Sequence, residues 1–82
     1  MKVSIEISLY PLDRNYSDPI RQFIDRLNTH KNIEIKVQAM STIIFGEYDS
    51  TMEILVKELK STFSQEPTAV SIIKIVNLDL SD

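Results

Sequence analysis

The chain reads as one α+β domain with the order β-α-β-β-α-β, an antiparallel four-stranded sheet carrying two helices on one face. Three features predict this. Val3, Ile5, Ile7 and Leu9 alternate with Ser4, Glu6 and Ser8, which is the period of a half-buried strand. Two segments, about 18–27 and 50–63, carry apolar residues at helical spacing. Each helical segment is flanked by a strand on either side, so the chain is two strand–helix–strand units in succession.

The first strand covers residues 3 to 9 and is expected to end at Pro11, with a polar loop over Leu12 to Ser17. Asp18 followed by Pro19 is a helix start, a side-chain cap and then proline where no donor is needed. Ile20, Phe23, Ile24 and Leu27 form one stripe, and Asn28 to Asn32 turn the chain. Ile33, Ile35 and Val37 alternate with Glu34, Lys36 and Gln38 as a second strand. A tight connection near Ala39 to Ser41 leads to a third strand over about 42–47, which closes on Gly46, the single glycine of the chain. Asp49 or Ser50 is expected to cap the second helix, and Ser50 with Glu53 has capping-box spacing. Its apolar stripe reads Met52, Leu55, Val56, Leu59 and Phe63. A loop containing Pro67 precedes a β-branched strand over 69–76 and a short tail. Right-handed crossovers then give a ferredoxin-like sheet with strand order 4-1-3-2.

Eighty-two residues make one domain, 1–82, with no room for a second. A chain this short buries roughly 60–65% of its unfolded surface, and oligomerisation often supplements so small a core. There is no cysteine, which fits a reducing compartment. The opening segment alternates instead of forming an apolar run, so it does not read as a signal peptide, and no stretch approaches a bilayer span. A cytoplasmic protein away from membranes is expected. The net charge of −3 and the scattered Lys and Arg argue against nucleic acid. An RNA-binding sheet would also need several aromatics on its central strands, where Phe45 stands alone.

Catalysis finds little support. A phosphate cradle after the first strand would need a glycine-bearing loop, and Leu12-Asp-Arg-Asn-Tyr-Ser17 has none. No nucleophile–base pair suggests itself. His30 is the one histidine, so neither a metal site nor a cofactor is called for.

The sheet face away from the helices carries more information. Ile43, Ile44 and Phe45 are consecutive, and Val70, Ile72 and Val76 oppose Ile73 and Ile75, so both faces of these strands are apolar. One helix layer cannot cover both, and burying four such side chains is worth about 6–12 kcal/mol. Association of sheets in a homo-oligomer follows as an expectation. Glu6, Ser8, Phe45 and Lys74 have the parity of this open face, with Ser41 and Thr42 beside the end of the first strand and Glu47 at the far end of the third. Carboxylate, hydroxyl and aromatic groups in an apolar frame suit a flat, cationic or hydrogen-bonding small molecule. The competing structural reading is that Glu6 pairs with Lys74 across adjacent strands, and that Ser41 and Thr42 serve the turn.

Val-Ser-Ile-Glu-Ile-Ser-Leu-Tyr-Pro-Leu (3–12), Ala-Met-Ser-Thr-Ile-Ile-Phe-Gly-Glu-Tyr-Asp (39–49), Asp-Ser-Thr-Met (49–52) and Ala-Val-Ser-Ile-Ile-Lys-Ile-Val-Asn (69–77) resemble the YkoF-like thiamine-binding family of small ferredoxin-like proteins. The resemblance covers nearly the whole chain. It implies a non-enzymatic protein whose dimers pair through their sheets into homotetramers, with a site for thiamine or its hydroxymethylpyrimidine part. The matching segments place that site around Glu6, Ser8, Ser41, Thr42, Phe45 and Glu47. In it Phe45 would stack on the pyrimidine, Glu6 or Glu47 would meet the aminopyrimidine and offset the thiazolium charge, and Ser41 and Thr42 would orient the ring. The alternative is an oligomeric structural or partner-binding protein with no such ligand.

Overall fold

The computed structural model describes residues 1–12 and 17–81. Its elements run β1 (Lys2–Pro11), α1 (Ser17–Leu27), β2 (Glu34–Val37), β3 (Thr42–Glu47), α2 (Tyr48–Gln65) and β4 (Ala69–Val76). The sheet is four-stranded and antiparallel throughout, in the order β2-β3-β1-β4. This is the ferredoxin-like α+β arrangement, with β1 and β3 central.

Register explains the core. Ile5 pairs with Ile44 on one side and Ile75 on the other, and Ile7 pairs with Thr42 and Ile73. The odd-numbered residues of β1, from Val3 to Leu9, therefore face the helices and are buried with Ile44, Phe23, Leu27, Ile54 and Leu55. The even-numbered residues Ser4, Glu6, Ser8 and Tyr10 face the other way. Among the described residues, no helix is long and apolar enough to cross a membrane.

Several local expectations are corrected. β1 ends at Pro11 as expected, paired there with Ala69, but it begins at Lys2 and its pairing reaches one residue further, with Leu12 N donating to Thr68 O at 3.1 Å. Proline is tolerated at a strand end, where one missing donor costs little. α1 is described from Ser17, ahead of the Asp18 cap read from sequence, and Asp18 pairs with Arg21 at 2.6 Å. The loop expected over Leu12 to Ser17 falls largely on residues 13–16, outside the described residues, as does Asp82.

α2 has neither an Asp49 nor a Ser50 cap. It follows β3 directly, with Glu47 as an extended N-cap residue making no side-chain cap hydrogen bond. Tyr48 N donates to Met1 O at 2.9 Å, so the residue leading into β1 satisfies one of the free donors at the helix start. The inward face of α2 keeps Met52, Leu55 and Leu59 of the expected stripe but is wider on its polar side. Thr51, Ile54, Leu55, Glu58 and Thr62 point inward, while Val56 and Phe63 are exposed. The cause is polar: Arg26 of α1 donates to Glu58 Oε1 at 3.0 Å and to Glu58 O at 3.1 Å, and also to Thr62 Oγ1. His30 Nε2 lies 2.7 Å from Glu58 Oε2. Helix–helix packing is thus keyed by a carboxylate that apolar periodicity does not reveal.

Gly46 fits between the layers. A Cβ there would collide with Thr51 Oγ1 and press on Ile33 Cγ2 at 3.3 Å, so only hydrogen lets β3 approach α2 so closely. At the sheet edge, β4 is apolar on both sides and exposed on both. Val70, Ile72 and Val76 face the open side, and Ile73 and Ile75 remain accessible on the helix side. Met40 is exposed at the β2–β3 turn.

Candidate functional site on the open sheet face

β1 is the middle of the open face, and Glu6 is the middle of β1. Its cross-strand partners are Ile43 of β3 and Lys74 of β4. Lys74 Nζ sits 2.9 Å from Glu6 Oε1, and Ser41 donates to Glu6 Oε2 at 2.8 Å. Both carboxylate oxygens are engaged. The hydrogen bond from Lys74, that from Ser41 and the Lys74 charge together hold the Glu6 carboxyl below its ordinary value, and the same pair raises Lys74. The two partners differ in mobility: the Lys74 side chain is 77% exposed, whereas that of Glu6 is 33% exposed. The ammonium can leave for water; the carboxylate stays.

A groove of about 360 Å³ opens around this carboxylate. Ile43, Phe45 and Val76 supply its apolar walls, Lys36 and Lys74 its cationic rim, and Leu80 its cover. Phe45 is 8% exposed although it points away from the helices. The C-terminal tail accounts for part of this covering. Ser4 Oγ donates to Leu78 O at 2.7 Å and accepts from Leu80 N at 2.9 Å, which straps residues 78–80 across the end of the open face.

The sequence-predicted residues divide into three sets. Glu6, Ser41 and Phe45 are brought together. Ser8 is on the same face but donates to Met40 O at 3.2 Å, bracing the β2–β3 turn, and does not line the groove. Glu47 shares the parity but lies at the far end of β3, where Oε2 meets the Met1 ammonium at 3.1 Å. Thr42 is on the opposite face: it pairs with Ile7, is 5% exposed and points into the helix layer. The physical reason is strand alternation, since Ser41 and Thr42 are neighbours and their side chains must diverge.

Ser4 and Leu80 were not singled out from sequence. Ser4 has the same parity as Glu6, which is a usable signal, but nothing in the sequence reveals that the tail folds back onto it. Among the described residues, no cluster of three or more acidic or histidine side chains could hold a metal ion. As built, the site can receive a cation or a hydrogen-bond donor at Glu6, against an aromatic wall.

No family model matches the chain, and no curated protein matches it either. Solved structures do. A structural-genomics target from Streptococcus pneumoniae superposes with a TM-score of 0.89 at 27% identity, covering 98% of this chain and 90% of its own. A Thermotoga maritima protein provisionally assigned to thiamine biosynthesis or salvage gives 0.84 at 16% identity, with 95% and 85% covered. A domain of unknown function, DUF77, from Bacillus cereus gives 0.77 at 17% identity, with 98% and 79% covered. These neighbours share with this chain the β-α-β-β-α-β ferredoxin-like fold over nearly its full length.

Proposed function

We propose that the chain is a non-enzymatic small-molecule binding protein of the YkoF-like kind, holding thiamine or its hydroxymethylpyrimidine moiety in the open-face groove of a homo-oligomer. The observation that carries this reading is the Glu6 carboxylate, fixed by Ser41 in an apolar groove and neutralised by a lysine that is largely in water. A cationic ligand takes the place of the Lys74 ammonium; an aminopyrimidine donates its N–H to the same oxygen. Phe45 supplies the aromatic wall. The provisional assignment of one structural neighbour to thiamine biosynthesis or salvage agrees with this ligand class. The apolar β4 residues exposed around the groove are the surface that a second copy would cover.

One set of observations favours a second reading, an oligomeric or partner-binding protein without such a ligand. Glu6 and Glu47 are both engaged in internal ion pairs, and β4 is apolar on both faces. Isothermal calorimetry with thiamine and with hydroxymethylpyrimidine separates the two. The proposed function expects saturable heat from wild type, weakened in Glu6→Gln and Phe45→Ala while light scattering reports the same assembly. Absence of heat at millimolar ligand from the intact oligomer would favour the second reading.

A further inference from the structure

Across the sheet from Glu6 lies a second and larger cavity. It opens between α1 and the β2–β3 hairpin and measures about 500 Å³, within the range of small-molecule sites. Its floor is core: Leu9 and Phe23 are 8% and 1% exposed. Ile20 and Ile24 of α1 and Val37 of β2 form its sides. Among the described residues, the polar groups that line it are uncharged.

Thr42 makes this more than an apolar gap. Its side chain lines the cavity at 5% exposure, yet its hydroxyl has no hydrogen-bond partner among the described residues. The hydroxyl is not sealed in the core as Thr51 Oγ1 and Ser71 Oγ are. Here the direction left to it is the cavity, where Gln38 adds a carboxamide that can donate and accept. A charged guest would lose hydration with no counter-charge among the described lining residues to meet it. A neutral guest with an apolar body and one hydrogen-bonding edge loses little and satisfies Thr42.

We propose that this cavity is a second binding site, specific for uncharged, largely apolar heteroaromatic molecules that hydrogen-bond to Thr42. It is distinct from the Glu6 groove: the two share no lining residue, and Ile43 and Phe45 face one side of β3 while Thr42 and Ile44 face the other. Ser41, on the cavity rim, meets the groove through its hydrogen bond to Glu6. The proposal stands whether or not thiamine is the ligand of the open face.

The chain contains no tryptophan, so a bound indole can be followed by its own fluorescence. Titration of the full chain into indole is expected to give a saturable blue shift and raised anisotropy. Thr42→Val, which keeps the shape and removes the hydroxyl, should weaken binding about three- to tenfold. Ala39→Phe, at an exposed position on the cavity wall, should abolish it with an unchanged circular dichroism spectrum. Glu6→Gln should have no effect. Tryptamine and indole-3-acetate, the same ring with a cationic or anionic arm, should bind at least about tenfold more weakly. A non-saturable signal, equal loss in Glu6→Gln, full binding by folded Ala39→Phe, or tryptamine binding as well as indole would each overturn the proposal.

Discussion

His30 Nε2 lies 2.7 Å from Glu58 Oε2 and so joins the exit of α1 to the middle of α2. The Glu58 side chain is 7% exposed, and its other oxygen accepts from Arg26 at 3.0 Å. Burial pushes the Glu58 carboxyl up, but the hydrogen bonds and charges of His30 and Arg26 outweigh burial and hold it below the ordinary value of 4.5.

A carboxyl with a depressed folded-state value contributes stability that is present above its unfolded value and lost as pH falls through the folded one. Thermal melts should therefore hold steady from neutral pH down to about 5 and fall below it. Glu58→Ala takes the shared carboxylate from Arg26 and His30 and should cost about 2–3 kcal/mol, toward the lower end for a buried pair because both side chains reach water and Arg26 keeps Glu58 O and Thr62. That variant should also lose much of the acid-side slope. A slope unchanged by Glu58→Ala would mean that another carboxyl governs it.

Gly46 and Thr51 give a packing test. Gly46→Ala drives a methyl into Thr51 Oγ1 and should destabilise the chain by about 1–3 kcal/mol in urea melts. Thr51 Oγ1 is buried without a partner, so Thr51→Ala removes both the obstacle and an unsatisfied hydroxyl. The double variant should be more stable than the sum of the two single changes predicts. Strict additivity would place the strain of Gly46→Ala elsewhere.

Lys74 is the internal stand-in for a ligand cation in the open-face groove. Lys74→Met should tighten thiamine binding on the order of threefold, by removing the competitor for Glu6, and should change the binding of neutral hydroxymethylpyrimidine less. Because the Glu6 carboxyl is held below 4.5, thiamine binding should persist from neutral pH to about 5 and weaken only below that. Calorimetry of both ligands across this range checks the direction. Weaker thiamine binding in Lys74→Met would show that the lysine positions the carboxylate and does not compete for it.

The fold was legible because its signals are local and mutually consistent. Alternation along Val3 to Leu9 and helical spacing from Ile20 to Leu27 survive unchanged, and parity correctly placed Glu6 opposite Lys74. The errors share one physical origin, partners distant in sequence. Met1 O takes the Tyr48 N–H at the start of α2. Arg26 draws Glu58 and Thr62 inward and turns Val56 and Phe63 to the surface. Ser4 collects the tail through contacts more than seventy residues away in sequence. Thr42 is different: its place on the far face follows from alternation with Ser41, and grouping both by sequence adjacency obscured the cavity beneath it.

The central claim is that Glu6 and its surroundings hold the ligand. It is tested most directly by mapping amide chemical shifts of isotope-labelled protein during titration with thiamine. The account predicts saturable shifts gathered on Ser4, Glu6, Ser41, Phe45 and Lys74, and lost in Glu6→Gln. Shifts gathered instead on Leu9, Phe23 and Thr42, or none at millimolar thiamine, would contradict it.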